Sequence, residues 1–453
     1  MDDPNTIPVF YDSYEIGEIR LGEGATISFA YDQRWLDTLG AFPVSVSMPL
    51  TKDVYAPTIV HPWVANLLPE ERQLFTLASV MGVDRNDSIA VLRKIGGDTA
   101  GALSFGAPSN RDEWNYAHLQ QFYETETADA ALLRHFEDLK DRPFLVGEDG
   151  IRLSLAGGQE KAALTVLGPE GSPRLGLPRP DDLLGIPRNG APSTLIIKPD
   201  NPRLPGIVEN EAYCLGLANA IGLDAAKTTI LKVGERNALA IARYDRESRK
   251  DGEVRRLHQE DFAQANCVFP TYKYETGTFP GPSLQVLLRT GKHLPSKDAL
   301  RLLDQVIFNI VVANTDAHAK NYSLFLSGTK SLAPLYDVSS ALPWENIKIN
   351  QNFAQKIAGK KRRPGDIQGR HWNNIAESAG YNPHETRKRV EEIVDRIIRM
   401  GHDVAAQIAG QAGAVPKLVD QVRDCVEENA LRVIGQLKEK PQATIFTAPD
   451  RPF

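Results

Sequence analysis

The pattern of apolar and polar positions changes along the chain, from strand-like alternation at the start to helical spacing at the end. Residues 15–21 and 25–31 are two β-prone runs separated by Gly22-Glu23-Gly24, which predicts a hairpin. The other early elements are predicted to be a helix at 63–68, a helix at 71–81 and a turn entering a strand at 96–105. The N-terminal part is therefore expected to be rich in β-structure.

The middle of the chain is predicted to contain more strands than helices. A helical pattern covers 119–139, and a helix at 210–221 ends at Gly222, a residue that favours helix termination. The Gly- and Pro-rich stretch 168–192 is expected to be a surface loop. The predicted strands are 151–155, 161–167, 194–198, 228–233 and 238–244.

From about Gln259 onward the apolar spacing is mainly helical. Ser296 is predicted to be the N-cap of a helix that reaches Ala313. Asn382 and Pro383 are predicted to open a second helix that ends near 408, and a third is predicted at 417–437. The tail after Pro441 has no strong pattern.

Composition narrows the class of protein. A chain of 453 residues is long enough for two or three packed units. The net charge of −6 and pI near 5.9 argue against a protein that coats nucleic acid on its own. Three distant cysteines predict neither a disulfide framework nor a zinc site. Since neither a signal peptide nor an apolar membrane span is visible, we expect a cytosolic protein with no membrane partner.

The most informative chemistry follows the predicted helix that ends at Ala313. Asp316 and Asn321 stand five positions apart, and two β-prone runs with a turn between them then lead to Asp337. Such a hairpin would bring Asp337 back beside Asn321. Phosphoryl transfer needs one carboxylate at the attacking hydroxyl, and an amide oxygen with a second carboxylate to hold magnesium. The spacing equals that of a protein-kinase catalytic loop.

Each of these three residues alone would more often cap a turn or begin a loop. Their order, after an apolar helix and across a hairpin, favours phosphoryl transfer over that structural interpretation.

An upstream segment around Gly157-Gly158 lies between two predicted strands and is a candidate phosphate loop. By itself the pair is more typical of a hairpin turn, and the Walker A spacing is missing. Lys198 ends the apolar run 195–197, where a lysine can reach ATP phosphates or extend to the surface. Glu209 and Glu211 are either its ion-pair partners or ordinary acids at a helix start.

Taken together, ten short segments in this order resemble one family, the HipA-type serine/threonine kinase toxins of bacterial type II toxin–antitoxin modules. The segments are SVSMPL (45–50), WVANLLPE (63–70), GGDTAGALSF (96–105), SLAGGQEKAAL (154–164), LIIKP (195–199), ENEAYCLGLANAIGL (209–223), ARYDR (242–246), LHQEDF (257–262), NTDAHAKNYSL (314–324) and PLYDVSSA (334–341).

The resemblance implies an α+β, two-lobed protein-kinase-like (PI3K-like) fold with an extra N-terminal β-rich subdomain and an all-helical C-terminal lobe. The expected divisions are an N-terminal subdomain at 1–110, a kinase N-lobe at 111–250, a helical C-lobe at 251–440 and a tail at 441–453.

The resemblance also assigns roles at the site. It implies that Asp316 is the catalytic aspartate, that Asn321 and Asp337 bind Mg²⁺, and that Lys198 binds the phosphates of ATP. Ser154 matches the serine that such kinases phosphorylate on themselves, an event that would eject the phosphate loop and inactivate the enzyme. The other expected ATP-binding residues are Ala156, Gly157, Gly158, Gln159, Glu160, Lys161, Arg243, Tyr244, His318 and Lys320. For His318, packing of the loop is the simpler interpretation.

Partners follow from the same resemblance. It implies a protein substrate, an aminoacyl-tRNA synthetase, whose modification would arrest translation and growth and lead to persistence. It also implies a helix-turn-helix antitoxin (HipB-like) that brings the kinase to operator DNA, so that a cytosolic or nucleoid-associated location is expected.

Two features fit the family pattern less directly. Ala242 stands in the expected adenine hinge, where family members commonly carry an acidic residue, so that a side-chain contact to the base would be lost. The basic run Lys360, Lys361, Arg362 and Arg363 is either a solvated loop or a contact for operator DNA or a tRNA-bound substrate.

Two other functions share the same residues. A small-molecule kinase also uses an Asp, Asn and Asp hairpin on a two-lobed fold. A catalytically silent corepressor would act only with the antitoxin on DNA, and measurable ATP turnover would exclude it.

Overall fold

The computed structural model describes residues 5–23, 26–250 and 252–438. None of the helices in these ranges combines the length and apolar character that crossing a membrane requires. The expected tail at 441–453 lies outside the described residues.

The N-terminal unit is a small sheet covered by helices. Its strands pair in the order β3-β2-β1-β4, and the antiparallel pairing of β2 with β3 confirms the predicted hairpin. Helix α3 has the predicted bounds. The elements are β1 (Thr6–Tyr11), β2 (Tyr14–Leu21), β3 (Ile27–Tyr31), α1 (Gln33–Leu36), α2 (Pro57–Ala65), α3 (Glu71–Met81), α4 (Ser88–Ile95) and β4 (Leu103–Phe105).

The next unit is a larger antiparallel sheet with strand order β10-β11-β9-β6-β8-β5, in which β7 also pairs with β6. Its long helix, α7, is buried on nearly all sides. The elements are β5 (Asn115–His118), α5 (Leu119–Phe122), α6 (Ala128–Asp141), β6 (Ala162–Leu167), β7 (Pro173–Arg174), β8 (Leu183–Arg188), β9 (Leu195–Pro199), α7 (Ile207–Ala220), β10 (Thr228–Val233) and β11 (Arg236–Ala242).

Three predictions in this region were wrong. The helix over 119–139 is two helices, because Glu124 adopts a positive φ of 49° and Thr127 caps a new start at α6. The stretch 168–192 is not only a surface loop, since β8 pairs with both β6 and β5. The expected strand at 151–155 is largely buried but pairs only through one isolated bridge, Asp98 with Leu153.

The last unit is mainly helical and carries a short sheet, β14-β15-β16. Its final helices confirm the predicted ones, and the Asn382 side chain accepts a hydrogen bond from the Glu385 N–H at the start of α12. Ser296 was wrongly predicted as an N-cap, because α10 begins at Ser296 itself, after Pro295. The elements are β12 (Arg246–Ser248), β13 (Val254–Arg256), β14 (Gln259–Asp261), α8 (Phe262–Ala265), α9 (Leu284–Thr290), α10 (Ser296–Val311), β15 (Ser323–Phe325), β16 (Ser331–Leu332), α11 (Gly369–Ala379), α12 (Pro383–Ala409) and α13 (Pro416–Lys438).

The apolar interior is organised around two clusters. One cluster joins the N-terminal unit to the large sheet, with Trp63, Phe105 and Leu164 among its buried members. The other joins α7 to α10, α12 and α13. The expected two lobes and the extra N-terminal unit are thus present, while the expected residue boundaries between the units stay a prediction.

A buried group of charges also ties the N-terminal unit to the sheet. The Asp98 carboxylate accepts hydrogen bonds from Arg246 Nη2 and Arg256 Nε, both at 2.8 Å, and from Ser193 Oγ at 2.6 Å. Arg243 lies in the same group, 3.4 Å from Asp98 and 2.7 Å from Asp245. Because these charges are buried, each depends on its partners for compensation.

We expect Asp98→Asn to destabilise the protein by about 3–5 kcal/mol, since it leaves buried arginines without their shared counter-charge. Urea unfolding followed by circular dichroism measures the change. The control is Asp112→Asn, which neutralises an exposed aspartate of the following loop. Equal unfolding midpoints for the two variants would contradict the structural importance of the buried group.

Candidate active site

A cavity of about 660 Å³ lies between the sheet and the helical unit, within the range of ~300–1,000 Å³ typical of small-molecule sites. It gathers most of the site residues expected from the sequence. Those lining it are Ala156, Gly157, Gly158, Gln159, Lys161, Lys198, Arg243, Tyr244, Asp316, His318, Lys320, Asn321 and Asp337. Ser154, Glu160 and the basic run 360–363 do not line it.

The loop after α10 is fixed by its own hydrogen bonds. The Asn314 side-chain oxygen accepts from the Asp316 N–H at 3.1 Å, and Asn321 Nδ2 donates to the Asp316 carbonyl at 3.0 Å. The chain turns into this loop at Ala313, which has a positive φ of 59°. Asp316 is exposed while its neighbours are buried, so that its carboxylate faces the cavity mouth.

The hairpin of β15 and β16 carries the chain back to the same place, as the sequence predicted. Leu324 pairs with Leu332, and the Tyr336 hydroxyl donates to the Lys320 carbonyl at 2.6 Å. Asp337 follows with a positive φ of 57°, a conformation that is costly for a residue other than glycine. Strained backbone of this kind is found most often where a side chain must point in a particular direction.

Lys198 stands between two carboxylates at the centre of the cavity. Its Nζ lies 2.7 Å from Glu211 Oε1 and 2.6 Å from Asp337 Oδ1, and the lysine is only 5% exposed. Of the two candidate partners, Glu211 makes the pair, whereas Glu209 accepts from Asn237 Nδ2 at 2.7 Å. Positions 209 and 211 point about 200° apart on a helix, so only one can face the lysine.

These contacts determine the charges in the cavity. Burial acts to lower the pKa of Lys198, but Asp337 and Glu211 outweigh it and raise that pKa. Burial acts to raise the pKa of Asp337, yet the ammonium groups of Lys198 and Lys161 hold that pKa well below its usual range. For Lys161, burial and the charge of Lys198 lower the pKa to about 8.

The expected phosphate loop is packed against the N-terminal unit. Gly157 has a φ of 102°, and the Gly157 carbonyl accepts from the Glu70 N–H at 3.3 Å. Lys161 Nζ donates to the Ala156 carbonyl at 2.8 Å. Ser154 is fully buried, and its hydroxyl donates to the Leu67 carbonyl at 2.7 Å. The serine therefore stays closed to the cavity while the loop is in this position.

The far side of the cavity is apolar and fits an adenine ring better than a phosphate. Its lining includes Ile196, Ile241 and Ala242. Arg243 also borders it, but its guanidinium bonds to Asp245, Asp98, Ser193 and Thr99, and its N–H donates to the Thr194 carbonyl. Only the carbonyl of Arg243 is thus left for a nucleotide.

The lining residues that the sequence interpretation did not assign include Asn66, Glu70, Lys273 and Tyr274. Glu70 lies 2.6 Å from Lys273 Nζ and 3.3 Å from Lys320 Nζ. Asn66 Oδ1 accepts from Lys320 Nζ at 2.9 Å. The Tyr274 hydroxyl donates to Asp316 Oδ1 at 2.5 Å. Asn66 and Glu70 belong to the WVANLLPE segment, which was the signal available in the sequence. Their partners, however, are 254 and 203 positions away in the chain.

The basic run 360–363 does not line the cavity. Lys360, Lys361 and Arg363 are exposed, and the half-buried Arg362 donates to the Ile357 carbonyl at 2.9 Å. The exposure of this run is therefore consistent with both interpretations, a solvated loop and a docking surface.

Comparison with known proteins identifies the family. The HipA N-terminal domain family matches residues 7–106, and the HipA-like C-terminal domain family matches residues 153–402, more than half of the chain. This chain belongs to the HipA family. The resemblance drawn from the short segments is confirmed.

Individual relatives agree with that assignment. A protein of Sinorhizobium fredii named as a kinase, Y4mE, is 36% identical over 392 residues, covering 85% of this chain and 89% of the relative. The serine/threonine-protein kinase toxin HipA of Shewanella oneidensis is 27% identical over 369 residues, covering 78% of each protein. Membership of the HipA family, with kinase-named relatives across most of the chain, supports kinase activity.

A solved structure supports the fold. The complex of HipA, HipB and operator DNA from Shewanella oneidensis contains a chain that superposes with a TM-score of 0.78 at 24% identity, covering 95% of this chain and 98% of that one. The fold of the HipA family thus extends over nearly all of this protein.

We expect Glu70→Gln to lower stability at neutral pH by about 3 kcal/mol, a value that follows from the pKa shift of Glu70. Burial acts to raise that pKa, but Lys320 and Lys273 lower it from 4.5 to about 2. The carboxylate therefore stabilises the fold fully above about pH 4.5, and this contribution is lost as the pH falls toward 2.

Urea midpoints of wild type and Glu70→Gln at neutral pH and at about pH 4 measure this effect. The difference between the urea midpoints of wild type and Glu70→Gln should be smaller at the lower pH. Glu377→Gln, an exposed carboxylate on α11, serves as the control and should follow the wild type. A gap that stays constant over this pH range would contradict the proposed ion pairs of Glu70.

Proposed function

We propose that this protein is a serine/threonine protein kinase toxin that transfers the γ-phosphate of ATP to a protein target. The observation that carries the proposal is the convergence of Asp316, Asn321, Asp337 and the Lys198–Glu211 pair on one cavity. These groups supply a base, cation ligands and a phosphate-binding ammonium, the parts that phosphoryl transfer requires.

In this proposal ATP lies with its adenine against the apolar wall and its phosphates toward Lys198 and Lys161. The Gly157-Gly158 turn brings backbone close to the phosphates. His318, Lys320 and Tyr244 border the nucleotide, and Lys320 is held in place by Asn66 and Glu70. Glu160 is exposed and lies outside the cavity.

The residues fit a magnesium site. Because Asn321 Nδ2 donates to the Asp316 carbonyl, the Asn321 side-chain oxygen is the atom left for a cation. Asp337 is held ionised and keeps its second oxygen when Lys198 binds the first. An amide oxygen and a carboxylate are oxygen ligands that Mg²⁺ prefers. When bound, the cation would neutralise phosphate charge.

The transfer step uses Asp316. The hydroxyl oxygen of a serine or threonine forms a bond to the γ-phosphorus, and the bond from that phosphorus to the oxygen bridging it to the β-phosphate breaks. ADP leaves with the electron pair of the broken bond, and the hydroxyl proton passes to the Asp316 carboxylate. Its exposed position at the cavity mouth suits an acceptor that arrives from solvent.

We extend the proposal to target and partners from the resemblance to HipA-type toxins. The target is an aminoacyl-tRNA synthetase, whose phosphorylation inhibits translation and growth. A helix-turn-helix antitoxin binds the kinase and brings it to operator DNA, and the Shewanella oneidensis complex supports this because it holds HipA, HipB and operator DNA together. The exposed Lys360, Lys361 and Arg363 supply positive charge for contact with DNA or with a tRNA-bound substrate.

Self-phosphorylation at Ser154 would inactivate the enzyme. Since Ser154 is buried against Leu67, its hydroxyl reaches the cavity only when the loop leaves the N-terminal unit. A phosphate of up to about two negative charges cannot return to that buried position without a large desolvation cost.

We expect Asp316→Asn to abolish phosphate transfer while Mg-ATP affinity stays within about threefold of wild type, because the carboxylate acts on the acceptor. Asp337→Asn should instead weaken Mg-ATP binding by at least about tenfold, since it removes a cation ligand. Calorimetric titration and transfer of labelled phosphate to proteins of a bacterial extract measure both. Wild-type transfer rates in both variants would refute the site.

We expect Ser154→Ala to resist inactivation by prior incubation with Mg-ATP, which should progressively silence the wild type. Peptide mass spectrometry should find one phosphate on Ser154 in the wild type and none in Asp316→Asn, the inactive control. Ser154→Asp should be inactive without incubation, because its carboxylate does not fit the buried site. Equal loss of activity in wild type and Ser154→Ala would exclude Ser154 as the regulatory residue.

A further inference from the structure

The loop between α8 and α9 crosses the mouth of the cavity, and one of its side chains reaches the proposed catalytic carboxylate. The Tyr274 hydroxyl donates to Asp316 Oδ1 at 2.5 Å. The Tyr274 ring packs edge-on against the His318 ring, with centroids 4.9 Å apart and an interplanar angle of 83°. Among the described residues, Tyr274 is the hydrogen-bond donor to this carboxylate.

The surroundings of Tyr274 keep its hydroxyl protonated, so that the direction of this hydrogen bond does not change. Burial raises the pKa of Tyr274, and the charge of Asp316 raises it further. The phenol therefore stays protonated at any physiological pH and acts as a donor, so that the Asp316 carboxylate remains the acceptor.

The loop is anchored on both sides of Tyr274. On one side the Lys273 carbonyl accepts from the Ala319 N–H at 3.2 Å, and Lys273 Nζ lies 2.6 Å from Glu70 of the N-terminal unit. On the other side Glu275 Oε2 accepts from the Lys356 N–H at 2.8 Å. The Thr276 N–H also donates to the Ala354 carbonyl at 3.0 Å. These anchors join three parts of the chain and restrict the position of the hydroxyl.

We propose that Tyr274 is a positioning residue of the kinase, which holds Asp316 Oδ1 so that Oδ2 is presented to the acceptor hydroxyl. This inference rests on the proposed function, in which Asp316 is the base. An exposed aspartate has two rotatable bonds, and one oriented hydrogen bond restricts them before the substrate arrives.

The opposite interpretation of the same contact is that Tyr274 blocks access of the acceptor hydroxyl to Asp316. The phenol would then occupy the place of the acceptor hydroxyl and would have to leave before transfer. The anchors at Lys273, Glu275 and Thr276 argue against it, because displacement of the loop would break contacts to the N-terminal unit, the Asp316 loop and the segment at 353–356 together.

The test compares Tyr274→Phe with Tyr272→Phe. Both substitutions remove one phenolic oxygen from the same loop, but Tyr272 is 38% exposed and packs against Phe279 away from Asp316. The readouts are the initial rate of phosphate incorporation into the chain itself at saturating Mg-ATP, the Mg-ATP concentration for half-maximal rate, and the urea midpoint.

We expect Tyr274→Phe to lower the maximal rate by roughly 10- to 100-fold. The Mg-ATP concentration for half-maximal rate should stay within about twofold of wild type. The urea midpoint should equal that of wild type within experimental error. Tyr272→Phe should match the wild type in all three. A faster Tyr274→Phe would overturn positioning in favour of a block. A rate equal to wild type, or a loss that follows the urea midpoint, would also overturn it.

The outcome separates this inference from the proposed function. If wild type transfers phosphate and Asp316→Asn does not, the proposed function stands and the Tyr274→Phe rate alone decides the role of Tyr274. If wild type transfers none, to itself or to proteins of a bacterial extract, the kinase proposal fails and the inference fails with it.

Discussion

The structure depends on a buried ammonium group that needs two counter-charges from different parts of the chain. Lys198 lies near the end of β9, Glu211 belongs to the buried helix α7, and Asp337 follows the hairpin of the helical unit. A lysine at 5% exposure is tolerated only when such partners are present. The ion pairs therefore join the two lobes at the point where the cavity opens. The same ion pairs stabilise the interface between the lobes and set the charge of the site.

The N-terminal unit is part of this arrangement rather than an appendage. Its segment from Asn66 to Glu70 contacts the glycine turn at Gly157, the Lys320 ammonium and the loop that carries Tyr274. It also shares an apolar core with the large sheet. Loss of this segment would release the phosphate loop, leave Lys273 without its carboxylate and leave Lys320 with Asp261 as its carboxylate partner. The site therefore contains residues from both parts of the chain that match the HipA family, 7–106 and 153–402.

Sequence reasoning was most accurate where a feature is local. The hairpin at the start, the start of α12 at Asn382 and the turn that returns Asp337 toward Asn321 each depend on residues close together in sequence. It was less accurate where pairing overrides composition. β8 contains Pro187 and Gly185 but is held between two strands, and 151–155 alternates like a strand without joining a sheet.

The sequence by itself thus determined the order of the elements, the family and the chemical types at the centre of the site, because short motifs encode these directly. Only the tertiary structure decided that Glu211 rather than Glu209 pairs with Lys198, that Ser154 is closed behind Leu67, and that Tyr274 touches Asp316. Such choices depend on which residues of distant segments face each other. Helix rotation, burial and long-range packing set them, and no local spacing records them.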